Sequence, residues 1–305
     1  MTNRLPKIIR IGKDPTTAEL KNSLRKNEIP LKFCYMGQGA KCWNNLRESK
    51  EYKLGDKWVY ILEKTLPQVR KRLNGEDYNL IHVGPGNGIE IPSFLGSIGL
   101  NGKARYCGID VSRDMLELAI ESNRDTLNQK NSVWYQSDVE SKGNLERIAK
   151  GIRRKYSERS LILLTDEGTL LSNKSIFKEL YRALGKGDYA LITIEGDNPE
   201  KRGEILQTYS LPQTLKILSV GLRKAGYDYN RGSFSFSFNE RRSRVEVYFN
   251  THVGNKLLCL ASYKPKKEEF FNELKSFGFD IPYFKFHEEA WAFSVLLEKR
   301  DKNVQ

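Results

Sequence analysis

The chain has 305 residues, of which 39% are hydrophobic and 11% aromatic, and its formal net charge is +13. This composition is typical of a folded protein with one large or two modest domains, and it excludes an intrinsically disordered chain. No run approaches the ~18 apolar residues of a membrane span, and no apolar segment follows the basic N-terminus to predict a signal peptide.

The cysteines and histidines predict no cross-link and no metal centre. The four cysteines are scattered without a CxxC pair, which makes both disulfides and a zinc site unexpected. His82, His252 and His287 are far apart and lack the spacing of metal ligands. We therefore expect a cytoplasmic protein without a bound metal.

From residue 78 to residue 195, short apolar runs alternate with helical stripes. The predicted elements are strand 78–83, helix 92–98, strand 104–109, helix 113–123, strand 132–136, helix 145–156, strand 161–165, helix 175–184 and strand 189–195. Strands that alternate with helices pair in parallel through right-handed crossovers. We therefore expect an α/β sheet of Rossmann-like type, covered by helices on both faces.

After residue 197 the pattern changes. The predicted elements here are helix 211–225, strands 233–238, 244–250 and 256–263, helix 268–277 and a last strand at 291–297. Serine and phenylalanine alternate in the first of these strands, which is the period of a half-buried antiparallel strand. We predict a Rossmann-like core over 56–196 and 263–301, and a smaller α+β substrate domain over 1–55 and 197–262.

A glycine-rich loop follows the first buried strand of this core. Gly84, Gly86 and Gly88 form the pattern GPGNG, which lets the backbone approach a ligand closely at the start of a helix. Asp110 ends the second strand, where a carboxylate is placed to accept hydrogen bonds from ribose hydroxyls. On sequence alone, Asp110 is either this ligand or the N-cap of the following helix.

Two further observations favour S-adenosylmethionine (SAM) over a dinucleotide. The pattern lacks the third glycine of GxGxxG, so a pyrophosphate at the helix end is not expected. The last strand, after a last helix, suits the seven-stranded methyltransferase sheet better than a dehydrogenase.

Asp138, which follows the third strand, is then either the acceptor for the adenine amino group or a helix cap. Asn173, in the loop after the fourth strand, is either a substrate ligand or a cap.

Several segments resemble a known family over nearly the whole chain. They are 29–39 (IPLKFCYMGQG), similar to IPPKYFYDxxGS; 51–54 (EYKL), similar to EYYPT; 168–173 (GTLLSN), similar to GSTIGN; 244–247 (RVEV), similar to RIEM; and 261–264 (ASYK), similar to ISxKY. In this order and spacing, they resemble the histidine-specific N-methyltransferase family of ergothioneine biosynthesis. The resemblance implies a class I methyltransferase fold with SAM as cofactor.

The resemblance also implies roles for individual residues. The residues expected to bind SAM are Tyr35, Gly84, Gly86, Gly88, Asp110, Asp138 and Val139. The residues expected at the substrate are Tyr52, Asn173, Tyr209, Val247, Leu260 and Ser262, with Tyr52, Asn173 and Tyr209 serving catalysis.

Three departures from the family pattern bear on the substrate. Leu260 stands where the family has an acid that holds the imidazole, Val247 replaces a methionine and Lys53 replaces a tyrosine. A pocket that loses its polar partner rejects the polar ligand, because an N–H is then buried unpaired. We therefore predict N-methylation of a small amine or amino-acid-like molecule other than histidine.

Two alternatives stay open at this stage. The charge of +13 would also suit an RNA-directed methyltransferase or an RNA-binding protein. The lost substrate contacts would also suit a relative that binds SAM without catalysing transfer. Neither a membrane partner nor a particular oligomeric state is predicted.

Overall fold

A computed structural model describes residues 6–52, 54–98, 105–127, 130–156, 158–165 and 168–300. The strands in this part of the chain are β1 (Ile8–Arg10), β2 (Tyr78–Val83), β3 (Tyr106–Asp110), β4 (Ser132–Gln136), β5 (Arg159–Thr165), β6 (Tyr189–Glu195), β7 (Gly232–Asn239), β8 (Arg244–Thr251), β9 (Lys256–Tyr263), β10 (Phe279–His287) and β11 (Ala292–Lys299).

The helices described in the same residues are α1 (Thr17–Leu24), α2 (Gln38–Arg47), α3 (Leu54–Arg72), α4 (Ile91–Ile98), α5 (Arg113–Ser122), α6 (Asn144–Tyr156), α7 (Gly168–Leu171), α8 (Ser175–Ala183), α9 (Arg202–Tyr209), α10 (Pro212–Lys224) and α11 (Lys267–Ser276). Within these residues, no helix is both long and apolar enough to cross a bilayer.

The larger sheet has the strand order β1-β4-β3-β2-β5-β6-β11-β10. The strands from β1 to β6 pair in parallel, whereas β11 runs antiparallel to β6 and to β10. The chain therefore winds from β2 in one direction to β3 and β4, and in the other to β5 and β6. Such a reversal leaves a crevice at the carboxyl ends of the strands, where ligands bind in open α/β sheets.

Helices pack on both faces of this sheet. Along β2, Ile81 and Val83 belong to one apolar cluster and Leu80 to another, as the alternation of side chains in a strand requires. The first cluster is completed by residues of α6, α8 and α11, and the second by residues of α3, α4 and α5. Every residue of β2 is buried, so its position fixes the loop that follows it.

A smaller antiparallel sheet, β7-β8-β9, forms a second unit with α1, α2, α9 and α10. Its core lies between the sheet and α10, where Ile217, Leu218 and Leu222 meet Val245 and Val247. The register of β8 against β9 shifts between Val247 and Tyr248. This unit packs over the carboxyl edge of the larger sheet.

The α/β class and the second α+β unit are confirmed, and each predicted strand and helix is present within a few residues. The division into domains stays a prediction, although the pairing of β1 with β4 adds residues 8–10 to the larger sheet. Ala104, which was predicted to start the second strand, lies outside the described residues.

Seven of the strands and helices named above were not predicted from the sequence, namely β1, α1, α2, α3, α7, α9 and β10, and two of these contain a proline. The edge strand β10 contains Pro282 next to a register shift, and proline weakens a strand signal. The helix α3 contains Pro67, which weakens a helical signal in the same way.

Candidate functional site

A cavity of about 740 Å³ lies at the carboxyl ends of β2 to β5, between the two units. Its position is the crevice at which the strand order reverses, and its size suits a ligand of cofactor dimensions. The predicted site residues on its wall are Tyr35, Gly84, Gly86, Asp110, Asp138, Val139, Asn173 and Leu260. Residues that are 225 positions apart in the chain thus meet at one site.

The glycine loop has a backbone that only glycine adopts readily. Gly84, Gly86 and Gly88 have φ values of 64°, 57° and 77°. A Cβ on Gly86 would lie 3.2 Å from the indole nitrogen of Trp43, on the cavity side. A Cβ on Gly88 would lie 2.5 Å from Asn123 Nδ2. Gly88 therefore packs on α5 and is not among the described residues on the wall.

Asp110 projects into the cavity from the end of β3. Its carboxylate accepts the backbone N–H of Ser112 at 2.8 Å, and burial raises its pKa to about 7. Ser112, not Asp110, caps α5, because its hydroxyl accepts the N–H of Met115. Since an ionised carboxylate accepts about four hydrogen bonds, Asp110 retains capacity for a pair of ribose hydroxyls.

Asp138, in the loop after β4, has more partners than the sequence suggested. Its carboxylate accepts from Lys32 Nζ at 2.7 Å, the Glu140 N–H at 2.9 Å and Ser141 Oγ at 3.2 Å. Burial lowers the pKa of Lys32, but its hydrogen bonds to Asp138 and Glu19 outweigh that effect and hold the pKa above its ordinary value. Asp138 is thus bound to the N-terminal segment, and its predicted contact with adenine stays a prediction.

Aromatic side chains flank the glycine loop. Trp43 makes edge contacts with Tyr35 and Tyr52, at centroid distances of 5.8 and 5.9 Å. Tyr35 and Trp43 lie on the wall, whereas Tyr52 packs behind Trp43 and is not among the described residues there. Lys53, which the sequence analysis singled out beside it, lies outside the described residues.

A buried ion pair beside the glycine loop was not predicted from the sequence. Arg47 Nη2 lies 3.0 Å from Glu90 Oε1, and the two side chains are 4% and 10% exposed. Thr165, at the end of β5, donates to Glu90 at 3.1 Å. Burial raises the pKa of Glu90 overall, although Arg47 and Thr165 act in the opposite direction. The sequence offered one signal for Glu90 as a site residue, namely its position two residues after Gly88. No local pattern in the sequence indicates Arg47.

The predicted substrate residues divide into two groups. Asn173 and Leu260 lie on the cavity wall, and Asn173 Nδ2 donates to Glu140 Oε1 at 2.7 Å. Asn173 also accepts from the N–H of Ser175 at 3.2 Å, so it serves the start of α8 as well as the wall.

The second group lies behind that wall. Tyr209 OH lies 2.8 Å from Ser262 Oγ, and Val247 is fully buried in β8. These three residues are not among the described residues that line the cavity. Their predicted contact with substrate stays a prediction, and in this structure they support the wall.

A charged network holds Ser262 in place. Lys264 Nζ lies 3.2 Å from Ser262 Oγ and 2.9 Å from Glu195, which also pairs with Lys57 at 2.5 Å. Burial raises the pKa of Glu195, but the two ammonium groups outweigh that effect and lower it to about 2. Glu195 is therefore ionised at neutral pH and ties the end of β6 to β9.

Two unpartnered polar atoms on the wall fit a ligand rich in hydrogen-bonding groups. Ser137 Oγ, beside the predicted adenine position, and Trp43 Nε1, beside the glycine loop, are both buried without a hydrogen-bond partner among the described residues. Buried polar groups are rarely left unpaired in native proteins. Together with the close backbone approach at Gly86 and the carboxylate of Asp110, they fit the prediction that this cavity binds an adenosyl group.

Comparison with known proteins identifies the family of this chain. A family model described as "histidine-specific methyltransferase, SAM-dependent" matches residues 16–298. No curated protein matches the sequence.

Solved structures are similar at low sequence identity. An O-methyltransferase family protein from Burkholderia thailandensis has a TM-score of 0.52 at 9% identity, over 94% of this chain and 68% of that chain. Magnesium protoporphyrin IX methyltransferase from Synechocystis PCC 6803, with bound SAM, has a TM-score of 0.49 at 11% identity, over 88% and 93%. The PH0226 protein from Pyrococcus horikoshii OT3 has a TM-score of 0.49 at 14% identity, over 83% and 93%. The first of these likenesses shows the fold.

Proposed function

From the premise that this chain belongs to the histidine-specific, SAM-dependent methyltransferase family, we propose that it N-methylates a small amino-acid-like or amine substrate other than histidine. Family membership makes the chain a SAM-dependent methyltransferase, as the sequence analysis predicted. The nature of the methyl acceptor is the part that we propose. The observation that carries it is the apolar side chain of Leu260 on the cavity wall.

The residues that would hold SAM follow the order of the strands. The loop after β4, with Ser137 and Asp138, would face the adenine, Asp110 at the end of β3 would face the ribose, and the backbone at Gly84 and Gly86 would face the sulfur. When bound, SAM supplies a methyl group on a positively charged sulfur, which needs no further activation. The protein's task is then to align an uncharged amine with that methyl carbon and to exclude water.

The wall is apolar at Leu260, the position where the family has the acid that holds the imidazole. Leu260 is only 6% exposed, and the cavity is also lined by the apolar Ile29, Leu31 and Leu258 and by the charged Lys26, Glu28 and Arg244. An imidazole N–H that was buried against Leu260 would lose a hydrogen bond, at a cost of about 1–3 kcal/mol. An aliphatic or aromatic group has no hydrogen bond to lose when it is buried against Leu260. An amine that carries such a group is therefore favoured over histidine.

The proposal is tested by exchanging the side chain that carries it. Calorimetry with S-adenosylhomocysteine first establishes cofactor binding, and mass spectrometry then measures methyl transfer to histidine and to a panel of apolar amino acids and aromatic amines. We expect the unaltered protein to leave histidine unmodified and to methylate a member of the panel.

The variant Leu260→Glu should admit histidine, because it restores an acceptor for the imidazole N–H. The matched control is Leu258→Glu, which places the same carboxylate two residues earlier on the wall and should not admit it. Efficient methylation of histidine by the unaltered protein would contradict the proposal. Cofactor binding without transfer to any amine would favour a non-catalytic relative instead.

A further inference from the structure

The segment that contains α2 contacts the glycine loop and the loop after β3, although it belongs to the smaller unit. Asn87 Nδ2 donates to Asn44 Oδ1 at 3.0 Å, and Arg47 binds Glu90.

The residues just before α2 contact the loop after β3. The backbone N–H of Gly37 donates to the carboxylate of Asp114 at 2.8 Å, and the hydroxyl of Ser112 donates to the carbonyl of Tyr35 at 2.9 Å. These contacts place α2 over the cofactor part of the cavity.

The order of the strands shows which end of SAM reaches α2. The loops that would face adenine, ribose and sulfur follow β4, β3 and β2, and neighbouring strands are about 4.8 Å apart. A ligand laid along these loops continues toward β5. Thr165, at the end of β5, donates to Glu90. The Arg47–Glu90 pair therefore lies where the amino-acid end of the cofactor would be.

The charges at this place match that end of the cofactor. The amino-acid end of SAM carries an α-carboxylate and an α-ammonium group, and the cavity wall here carries a guanidinium and a carboxylate. Three other cationic residues are described on the wall: Lys32 is bound to Asp138 after β4, Arg244 pairs with Glu246 on β8, and the exposed Lys26 follows α1 in the smaller unit. A guanidinium has five N–H donors, so Arg47 can hold Glu90 and a ligand carboxylate together.

We propose that Arg47 binds the α-carboxylate of SAM and that Glu90 binds its α-ammonium group, so that α2 of the smaller unit completes the cofactor site. The inference rests on the use of SAM at this cavity. It adds a recognition element from the smaller unit to the glycine loop and Asp110.

The test separates the two ends of the cofactor by using ligands that lack one of them. Calorimetry measures the affinity of S-adenosylhomocysteine, of its decarboxylated analogue, which keeps the amine, and of 5′-methylthioadenosine, which lacks the whole amino-acid end. In Arg47→Gln we expect the affinity for S-adenosylhomocysteine to fall at least tenfold and the affinity for methylthioadenosine to change less than twofold. In Glu90→Gln we expect the decarboxylated analogue to lose affinity relative to methylthioadenosine.

Three controls make the result decisive. Arg47→Lys keeps the charge and should recover part of the lost affinity for S-adenosylhomocysteine. Arg223→Gln removes an arginine of α10 that binds α2 through Gln38 at 3.4 Å, and it should leave every affinity unchanged. Melting temperatures establish that each variant is folded.

An equal loss for all three ligands in Arg47→Gln would show a structural role and overturn the inference. So would unchanged binding of S-adenosylhomocysteine. If the unaltered protein bound none of the three ligands, the use of SAM at this cavity would fail instead, and the two failures are thereby distinguishable.

Discussion

The predicted role of Asp110 at the ribose implies that adenosyl binding depends on pH, by an amount that follows from the pKa of this carboxyl group. Burial raises the pKa of this carboxyl group to about 7, whereas ribose hydroxyls donate to the ionised form and favour it. The ionised fraction of the free protein is then about one tenth at pH 6 and about nine tenths at pH 8. Apparent affinity scales with the competent fraction, so we expect it to rise about tenfold between these values, or about 1.4 kcal/mol.

The suitable probe is 5′-methylthioadenosine, because it has no amino or carboxyl group that would titrate in this range. Isothermal titration calorimetry in steps of half a pH unit gives the affinity directly. Asp110→Asn keeps the shape of the side chain and removes its titration, so it should bind with a flat pH profile. The step in affinity should lie near pH 7 and level off above pH 8.

The same raised pKa affects the free protein in the opposite direction. Because the folded state disfavours the ionised carboxylate, the contribution of Asp110 to stability is present below its ordinary pKa of 3.8 and is lost as the pH rises toward 7. A bound ligand stabilises the folded state more when its affinity is higher. Because the affinity for methylthioadenosine is expected to be higher at pH 8 than at pH 6, the increase in melting temperature on adding it should be larger at pH 8. A flat affinity in the unaltered protein, or the same slope in Asp110→Asn, would refute this reasoning.

Three further predictions concern the frame of the site. Gly88→Ala places a Cβ 2.5 Å from Asn123 Nδ2 at a φ of 77°, and it should lower both the melting temperature and the affinity for S-adenosylhomocysteine. Glu195→Gln leaves the buried ammonium group of Lys264 and the partly buried one of Lys57 without their partner, and chemical denaturation should show a loss of about 3–5 kcal/mol. Because the pKa of Glu195 is lowered to about 2, this stabilisation is present above pH 4.5 and is lost as the pH falls toward 2. Lys32→Met removes the ammonium from Asp138, and unfolding should show a loss of about 1–3 kcal/mol.

The core of the fold was predictable because its signals are local. The apolar run of β2 is buried on both faces and bounded by glycines, so its limits follow from six consecutive residues. The helix α5 was predicted from an apolar stripe with helical spacing, although its cap is Ser112 and not the candidate Asp110. Asp110 and Asn173 were identified as candidate site residues because Asp110 ends one strand and Asn173 lies in the segment that follows another. The carboxyl ends of parallel strands meet at the same edge of a sheet.

The rest of the site depends on pairs that are far apart in the sequence. Arg47 and Glu90 are 43 residues apart, and Lys32 and Asp138 are 106 residues apart, so no window of the sequence contains either pair. The hydrogen bond between Tyr209 and Ser262 joins residues that are 53 positions apart, and the predicted contact of Tyr209 with substrate stays a prediction. Such positions are set by the packing of one unit against the other, which local periodicity does not encode.

The most direct measurement of the central claim is the transfer of a labelled methyl group. The purified protein is incubated with a metabolite extract and SAM that carries a trideuterated methyl group, and small amines with the added mass are identified by mass spectrometry. We predict the label on an amine that carries an apolar or aromatic body, with histidine unlabelled. Label on histidine alone, or none on any amine despite bound SAM, would contradict the account.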